Sequence, residues 1–137
     1  MIGKYRVITL CGSTRFKDAF MEEQKRLTLE GIIVISVGLF GHSGDDEVWT
    51  ESTKEMLDDM HKRKIDMADE IFVINVGGYI GSSTRSEIEY ATATGKPVIL
   101  ATHNDCRRQE FSVTAYTAAK NAYRQLISFA SIDIWSR

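Results

Sequence analysis

DEIFVINVGGYIGSSTRSEIEYA, from Asp69 to Ala91, joins three signals in one run. Ile71–Asn75 is a short apolar, β-branched segment of the kind buried in a parallel sheet. Val76–Gly81 is a glycine-rich loop, and Ser82-Ser83-Thr84 supplies the small hydroxyl residues that open a helix. A parallel strand that ends in a Gly/Ser loop at a helix start is where open α/β sheets place their ligands. The free N–H groups of such a helix start favour an anion. Glu87 lies in the first turns of this helix, and the helix dipole there is expected to keep its carboxylate ionised, as a nucleophile requires. A glutamate at that position also has a plainer use, since it favours the dipole of any helix.

Outward from this segment the same alternation repeats. Tyr5–Cys11 predicts a first, central strand that stops at Gly12-Ser13 and passes into an amphipathic helix, Phe16–Glu30. At the turn between them Gly12 permits a tight bend, Ser13 and Thr14 offer hydroxyls and a helix cap, and Arg15 offers a planar fork for phosphate or carboxylate. The turn lacks the Gly-Lys-Ser/Thr end of a nucleotide-triphosphate loop and the spacing of a dinucleotide fingerprint. A capped turn with a surface arginine accounts for the same residues.

Gly31 ends that helix, and Ile32–Val37 predicts a second buried strand. The three glycines and the acids of Gly38–Glu47 predict a mobile loop that covers the carboxyl edge of the sheet. His42, Asp45 and Asp46 in this loop have no third ligand at matching spacing, so no metal is expected there. Val48–Ala68 reads as one long helix with Leu57, Met60, His61, Ile65 and Ala68 on its apolar face. His61 is therefore aimed at the sheet, either as a packed core residue or as a group that titrates near neutral pH. Lys62-Arg63-Lys64 reads as a solvated face at the helix end.

Gly95-Lys96-Pro97 closes the third helix, and Val98–Ala101 predicts a fourth strand. Thr102–Gln109 is a polar connection, and Ser112–Phe129 has the spacing of a packed helix. Ile132–Trp135 offers a short fifth strand. Strands that alternate with helices in this way give a parallel sheet with helices on both faces. The 137 residues suit a single domain spanning 1–137. A net charge of −2 supplies no basic field, which argues against a nucleic-acid polymer as partner. Cys11 and Cys106 have neither metal-ligand nor redox spacing and read as free thiols of a cytoplasmic protein. No apolar run approaches the length of a membrane span.

With both loops in hand, the chain resembles the nucleoside 2-deoxyribosyltransferase-like superfamily, which includes deoxyribonucleoside 5′-monophosphate N-glycosidases. The resemblance spans about Val7 to Leu100. It rests on Cys11-Gly12-Ser13-Thr14-Arg15, on Ala68-Asp69-Glu70-Ile71, and on Ser83–Ala91 followed by Gly95-Lys96-Pro97-Val98. It implies a flavodoxin-like, doubly wound sheet of strand order 2-1-3-4(-5), a homo-oligomer, and Glu87 as a nucleophile toward the anomeric carbon of a nucleoside or nucleotide. Where the family's transferases carry two aspartates, this chain has His61 and Gly81, and Glu89 replaces a usual glycine.

The chemistry so implied is N-glycosidic cleavage or transfer on small-molecule deoxynucleosides or their 5′-monophosphates, without a cofactor. Glu87 is the nucleophile and His61 the proton donor to the leaving base. Gly12, Ser13 and Arg15 at one loop, with Gly81, Ser82, Ser83 and Thr84 at the other, bind the substrate and hold a 5′-phosphate. The alternative is a non-catalytic nucleotide-sensing module of the same fold, in which Glu87 caps its helix and His61 fills the core. An electron-transfer flavodoxin is disfavoured, because the first loop lacks the expected run of hydroxyl residues.

Overall fold

The computed structural model describes residues 1–101 and the backbone of residues 109–111. Five strands form one sheet: β1 (Val7–Gly12), β2 (Ile33–Ile35), β3 (Glu70–Ile74), β4 (Val98–Leu100) and β5 (Gln109–Phe111). Their order is β2-β1-β3-β4-β5. The first four are parallel, with Leu10 opposite Phe72 and Phe72 opposite Ile99. Among the described residues the α-helices are α1 (Lys17–Leu29), α2 (Thr53–Asp66) and α3 (Ser82–Ala93).

The two central strands read as continuous apolar runs because both of their faces are covered. Alternate residues of β1 and β3 sort into two cores. Ile8, Leu10, Phe72 and Ile74 pack with Phe20 and Leu27 of α1 on one face. Cys11, Ile71 and Val73 pack with Ile65 of α2 and with Ile88 and Ala91 of α3 on the other. The arrangement is a doubly wound, flavodoxin-like α/β fold with helices on both faces. Thr9, polar but fully buried in β1, is satisfied by donating from Oγ1 to the Lys64 carbonyl at 2.9 Å, which ties the end of α2 to the sheet.

Several boundaries differ from expectation, each for a local reason. β2 is a short strand beside β1 alone, and Ile33 stands 49% exposed, so it is not the buried strand its composition suggests. The fifth strand lies at Gln109–Phe111 and runs antiparallel to β4. Ile132–Trp135, the helix expected over Ser112–Phe129, and Cys106 lie outside the described residues. The long helix expected from Val48 is broken. Asp46–Trp49 is a 3₁₀ turn, and Ser52 takes a left-handed φ of 65°, after which α2 begins. The Trp49 indole N–H donates to the Gly41 carbonyl at 3.3 Å and so stays with the preceding loop. On α2, His61, Ile65 and the following Ala68 are buried as the periodicity predicts, whereas Met60 is exposed.

Among the described residues, no helix is long and apolar enough to cross a membrane.

Candidate active site

β1 and β3 are neighbours in a doubly wound order, so the loops that leave their carboxyl ends meet. Gly12 sits at the closest approach. Its φ of 149° is open to glycine, and a Cβ there would lie 2.9 Å from the Ile74 carbonyl oxygen. After β3 the chain makes a 3₁₀ turn over Val76–Gly78, with Gly77 and Gly78 at positive φ, and then presents Tyr79 to the first loop. The Arg15 guanidinium lies 4.3 Å from the centre of the Tyr79 ring, and Phe16 meets the same ring edge-on. This stacking holds the arginine fork at the rim.

The Gly38–Glu47 segment, expected to be a mobile lid, is folded into two 3₁₀ turns and bound to the first loop. Phe40 N–H donates to Asp45 Oδ2 at 2.6 Å, and Ser43 Oγ donates to the Thr14 carbonyl at 2.8 Å. Thr14 Oγ1 lies 2.9 Å from His42 Nδ1. Thr14 therefore faces the neighbouring loop, and α1 starts at Phe16 without a side-chain cap.

Between these loops lies a cavity of about 310 Å³. Its lining includes Gly12, Ser13 and Arg15 from the first loop, Gly81, Ser82, Ser83 and Thr84 from the start of α3, and both His61 and Glu87. All nine residues singled out from the sequence thus face one space. Sequence reasoning missed Trp49, Lys54, Asp58, Lys64 and Tyr79, which complete the wall. Lys54 pairs with Asp58 at 2.5 Å and donates to Ser83 Oγ at 3.2 Å, so it clamps α2 to the start of α3. Its spacing of four residues from Asp58 is a helical ion-pair signal and was legible. Lys64 is not on a solvated face, since its ammonium reaches across to donate to the Ser36 carbonyl at 3.0 Å.

Two residues of the cavity lining, His61 and Glu87, meet a third group, Cys11, that is buried behind the lining. Cys11 Sγ of β1 lies 3.3 Å from His61 Nε2 of α2, and that nitrogen lies 3.7 Å from Glu87 Oε2 of α3. The His61 and Glu87 side chains are only 6% and 13% exposed. Glu87 Oε2 is buried and makes no hydrogen bond among the described residues. Burial pushes the Glu87 carboxyl up to about 8, the Cys11 side chain and the charges of Lys54 and Lys62 only partly oppose it, and the charge of Asp58 adds to the rise. Burial likewise lowers His61 to about 4, with Lys64 adding to the fall.

Both protonation states differ from the sequence expectation. Glu87 lies five residues beyond Ser82, outside the first turn where the dipole is effective, so desolvation prevails and the resting group is a neutral acid. His61 titrates far below neutrality and is an unprotonated imidazole at rest. The Cys11 thiol, fully buried, is held well above its ordinary value by desolvation, with Glu87 adding to the rise.

No family model matches the chain, and none of the curated proteins matches it. Among solved structures, the 2-deoxyribosyltransferase from the psychrotolerant bacterium Bacillus psychrosaccharolyticus is similar in fold. The match covers 69% of this chain and 70% of that one, at 21% sequence identity and a TM-score of 0.57.

Proposed function

We propose that the protein cleaves or transfers the N-glycosidic bond of a deoxynucleoside or its 5′-monophosphate, with Glu87 as nucleophile and His61 as the proton carrier. The observation that carries this reading is the pairing of one buried carboxyl with one buried imidazole at the floor of a nucleoside-sized cavity, below two loops rich in hydroxyl and N–H donors. The structurally similar bacterial protein is a 2-deoxyribosyltransferase described as a biocatalyst for nucleoside synthesis, which supports the same substrate class here.

The resting proton inventory is the reverse of what the two roles need, and one proton transfer converts it. Glu87 holds the proton and His61 lacks one, so a single transfer across their 3.7 Å separation, drawn closer on substrate binding, creates a carboxylate and an imidazolium together. The carboxylate oxygen then bonds to C1′ while the C1′–N bond breaks, and the electron pair leaves with the base. The imidazolium protonates that departing nitrogen. Water next adds to C1′, the C1′–carboxylate bond breaks, and the proton lost by water returns to the Glu87–His61 pair. A second free base in place of water gives a new nucleoside. Positive charge developing at C1′ stabilises the carboxylate just when it is needed. Arg15, Ser13, Ser82 and Ser83 also line the cavity, and a 5′-phosphate is expected to bind among them.

Deoxyribonucleosides and their 5′-monophosphates, incubated with and without a second base, test this directly when base release is followed by chromatography. At least one deoxynucleotide should release its base. Release should vanish in Glu87→Ala and fall by about a hundredfold in His61→Ala, the usual worth of a positioned proton donor. New nucleoside appearing only with added base identifies a transferase. Nucleotide binding without any base release across the panel would refute the enzyme reading in favour of a sensing module.

A further inference from the structure

We propose that Cys11, His61 and Glu87 form a binding site for a divalent metal of zinc type, and that its occupation removes Glu87 from the reaction. The inhibitory half of this inference rests on the glycosidic reading above, whereas the metal site does not.

The three donors are a thiol sulfur, an imidazole nitrogen and a carboxylate oxygen, the ligand set that zinc favours over the harder cations. All three donor atoms lie within 4.8 Å of one another. The measured edges are 3.3 Å from sulfur to nitrogen and 3.7 Å from nitrogen to oxygen. Tetrahedral zinc with ordinary bond lengths to these atoms needs edges of about 3.3–3.6 Å, so the two edges at nitrogen fit to within a few tenths of an ångström, and the sulfur–oxygen edge, at most 4.8 Å, closes as the metal binds. Each ligand is carried by a different packed element, β1, α2 and α3, which holds the trio in place without metal. The sequence separations of 50 residues from Cys11 to His61 and of 26 from His61 to Glu87 match no ligand motif, and only the fold unites them.

Two further observations point to a cation. Glu87 Oε2 is buried without a hydrogen-bond partner among the described residues, which leaves a lone pair free for a ligand. His61 and Glu87 line the cavity, so a three-ligand site has a route of access and an open fourth position for water. The nearby Lys64 ammonium is engaged with the Ser36 carbonyl, and Lys54 with Asp58, so neither cation is free to fill the trio. Binding releases one proton from the Cys11 thiol and one from the Glu87 carboxyl to solvent, and the resulting thiolate and carboxylate balance the two charges of the metal. The oxygen that binds metal belongs to the carboxylate that attacks C1′, and metal and sugar therefore compete.

Cobalt(II) reports this site by a thiolate charge-transfer band in the near ultraviolet together with visible bands of tetrahedral intensity. Full-length, reduced protein freed of metal should bind one equivalent of cobalt with both features, and one equivalent of zinc should erase them. Cys11→Ala should lose the charge-transfer band and bind zinc at least tenfold more weakly in competition with a chromophoric chelator. Because Cys11 is a core residue, Cys11→Ser and His61→Gln serve as second and third variants, each checked for native melting. Absence of the thiolate band in the wild-type protein, or a band unchanged in folded Cys11 variants, would overturn the site. In the activity arm, base release should fall in proportion to zinc occupancy and return with chelator. Base release that is unaffected or stimulated at full occupancy would overturn the inhibitory role. A metal-free protein that releases no base refutes the glycosidic reading, while the cobalt spectrum still decides the site.

Discussion

Glu87 shows what a residue's neighbours add to its name. Its identity as the candidate nucleophile was legible from the helix that follows the glycine-rich loop, but its charge state was not. The dipole argument fails because the carboxyl lies beyond the first turn and is desolvated by packing that only the folded chain assembles. This state has a consequence for stability. Between its ordinary value of 4.5 and about 8, native Glu87 holds a proton that the unfolded chain has released, so its contribution to stability falls as pH rises. His61 acts oppositely between about 4 and 6.5, where the unfolded chain binds a proton that the native state refuses. The two effects offset one another up to pH 6.5. From there to pH 8 Glu87 acts alone, and stability should fall by about 1.4 kcal/mol per pH unit. Glu87→Gln cannot ionise and should lack this fall, gaining on the wild type progressively above pH 6.5. Urea unfolding of both proteins across pH 5–8.5, in the presence of chelator, measures it. Parallel curves would show that Glu87 is ionised throughout.

At the scale of elements, the strand–loop–helix run from Asp69 to Ala91 folds as read, because its apolar run, glycines and hydroxyl residues all favour the same outcome. The two loops around the cavity were less legible. The glycines of Gly38–Glu47 suggested mobility, but Phe40 N–H closes the loop on Asp45 and Ser43 ties it to Thr14, and a bond between separate segments such as the second has no local signature. Arg15 was readable as a candidate anion fork, whereas its partner Tyr79 was not, since an aromatic residue in a glycine-rich loop has no set role. The stacked pair suits a fork held ready for a phosphate. Arg15→Ala should weaken binding of a deoxynucleoside 5′-monophosphate by about 1.5–3 kcal/mol, the worth of a charge-assisted hydrogen bond, and leave the nucleoside nearly unaffected. Tyr79→Ala should show the same selectivity at smaller size, because the fork is freed and not removed. Calorimetric titration of both ligands is the measurement, and equal losses for nucleoside and nucleotide would make Arg15 a structural residue.

For the whole molecule, strands and helices alternate, so a parallel sheet could be read in advance, and the order 2-1-3-4 that the family resemblance implies is the order the described strands take. The direction of the edge strand could not be read, because Gln109–Phe111 carries no alternation strong enough to distinguish an antiparallel return from a further crossover. Assembly is a property at this scale as well. Met56, Met60 and Met67 follow one another along α2 and its end with 54%, 46% and 60% exposure, and Trp49 is half exposed just before the helix. An apolar strip on α2 is costly in water and suits a second copy of the chain, consistent with the homo-oligomer that the family resemblance implies. Burying three methionine side chains on each partner contributes several kcal/mol at about 25 cal/mol per Å² of apolar surface, a useful share of a dimer's affinity. Light scattering after gel filtration should therefore give a mass of at least twice 15.5 kDa. Met56→Lys with Met60→Lys should shift that mass to the single-chain value without changing the far-ultraviolet circular dichroism, since neither side chain is in the core. A wild-type mass of 15.5 kDa at micromolar concentration would leave α2 a free surface and remove the reason for expecting a neighbouring chain on it.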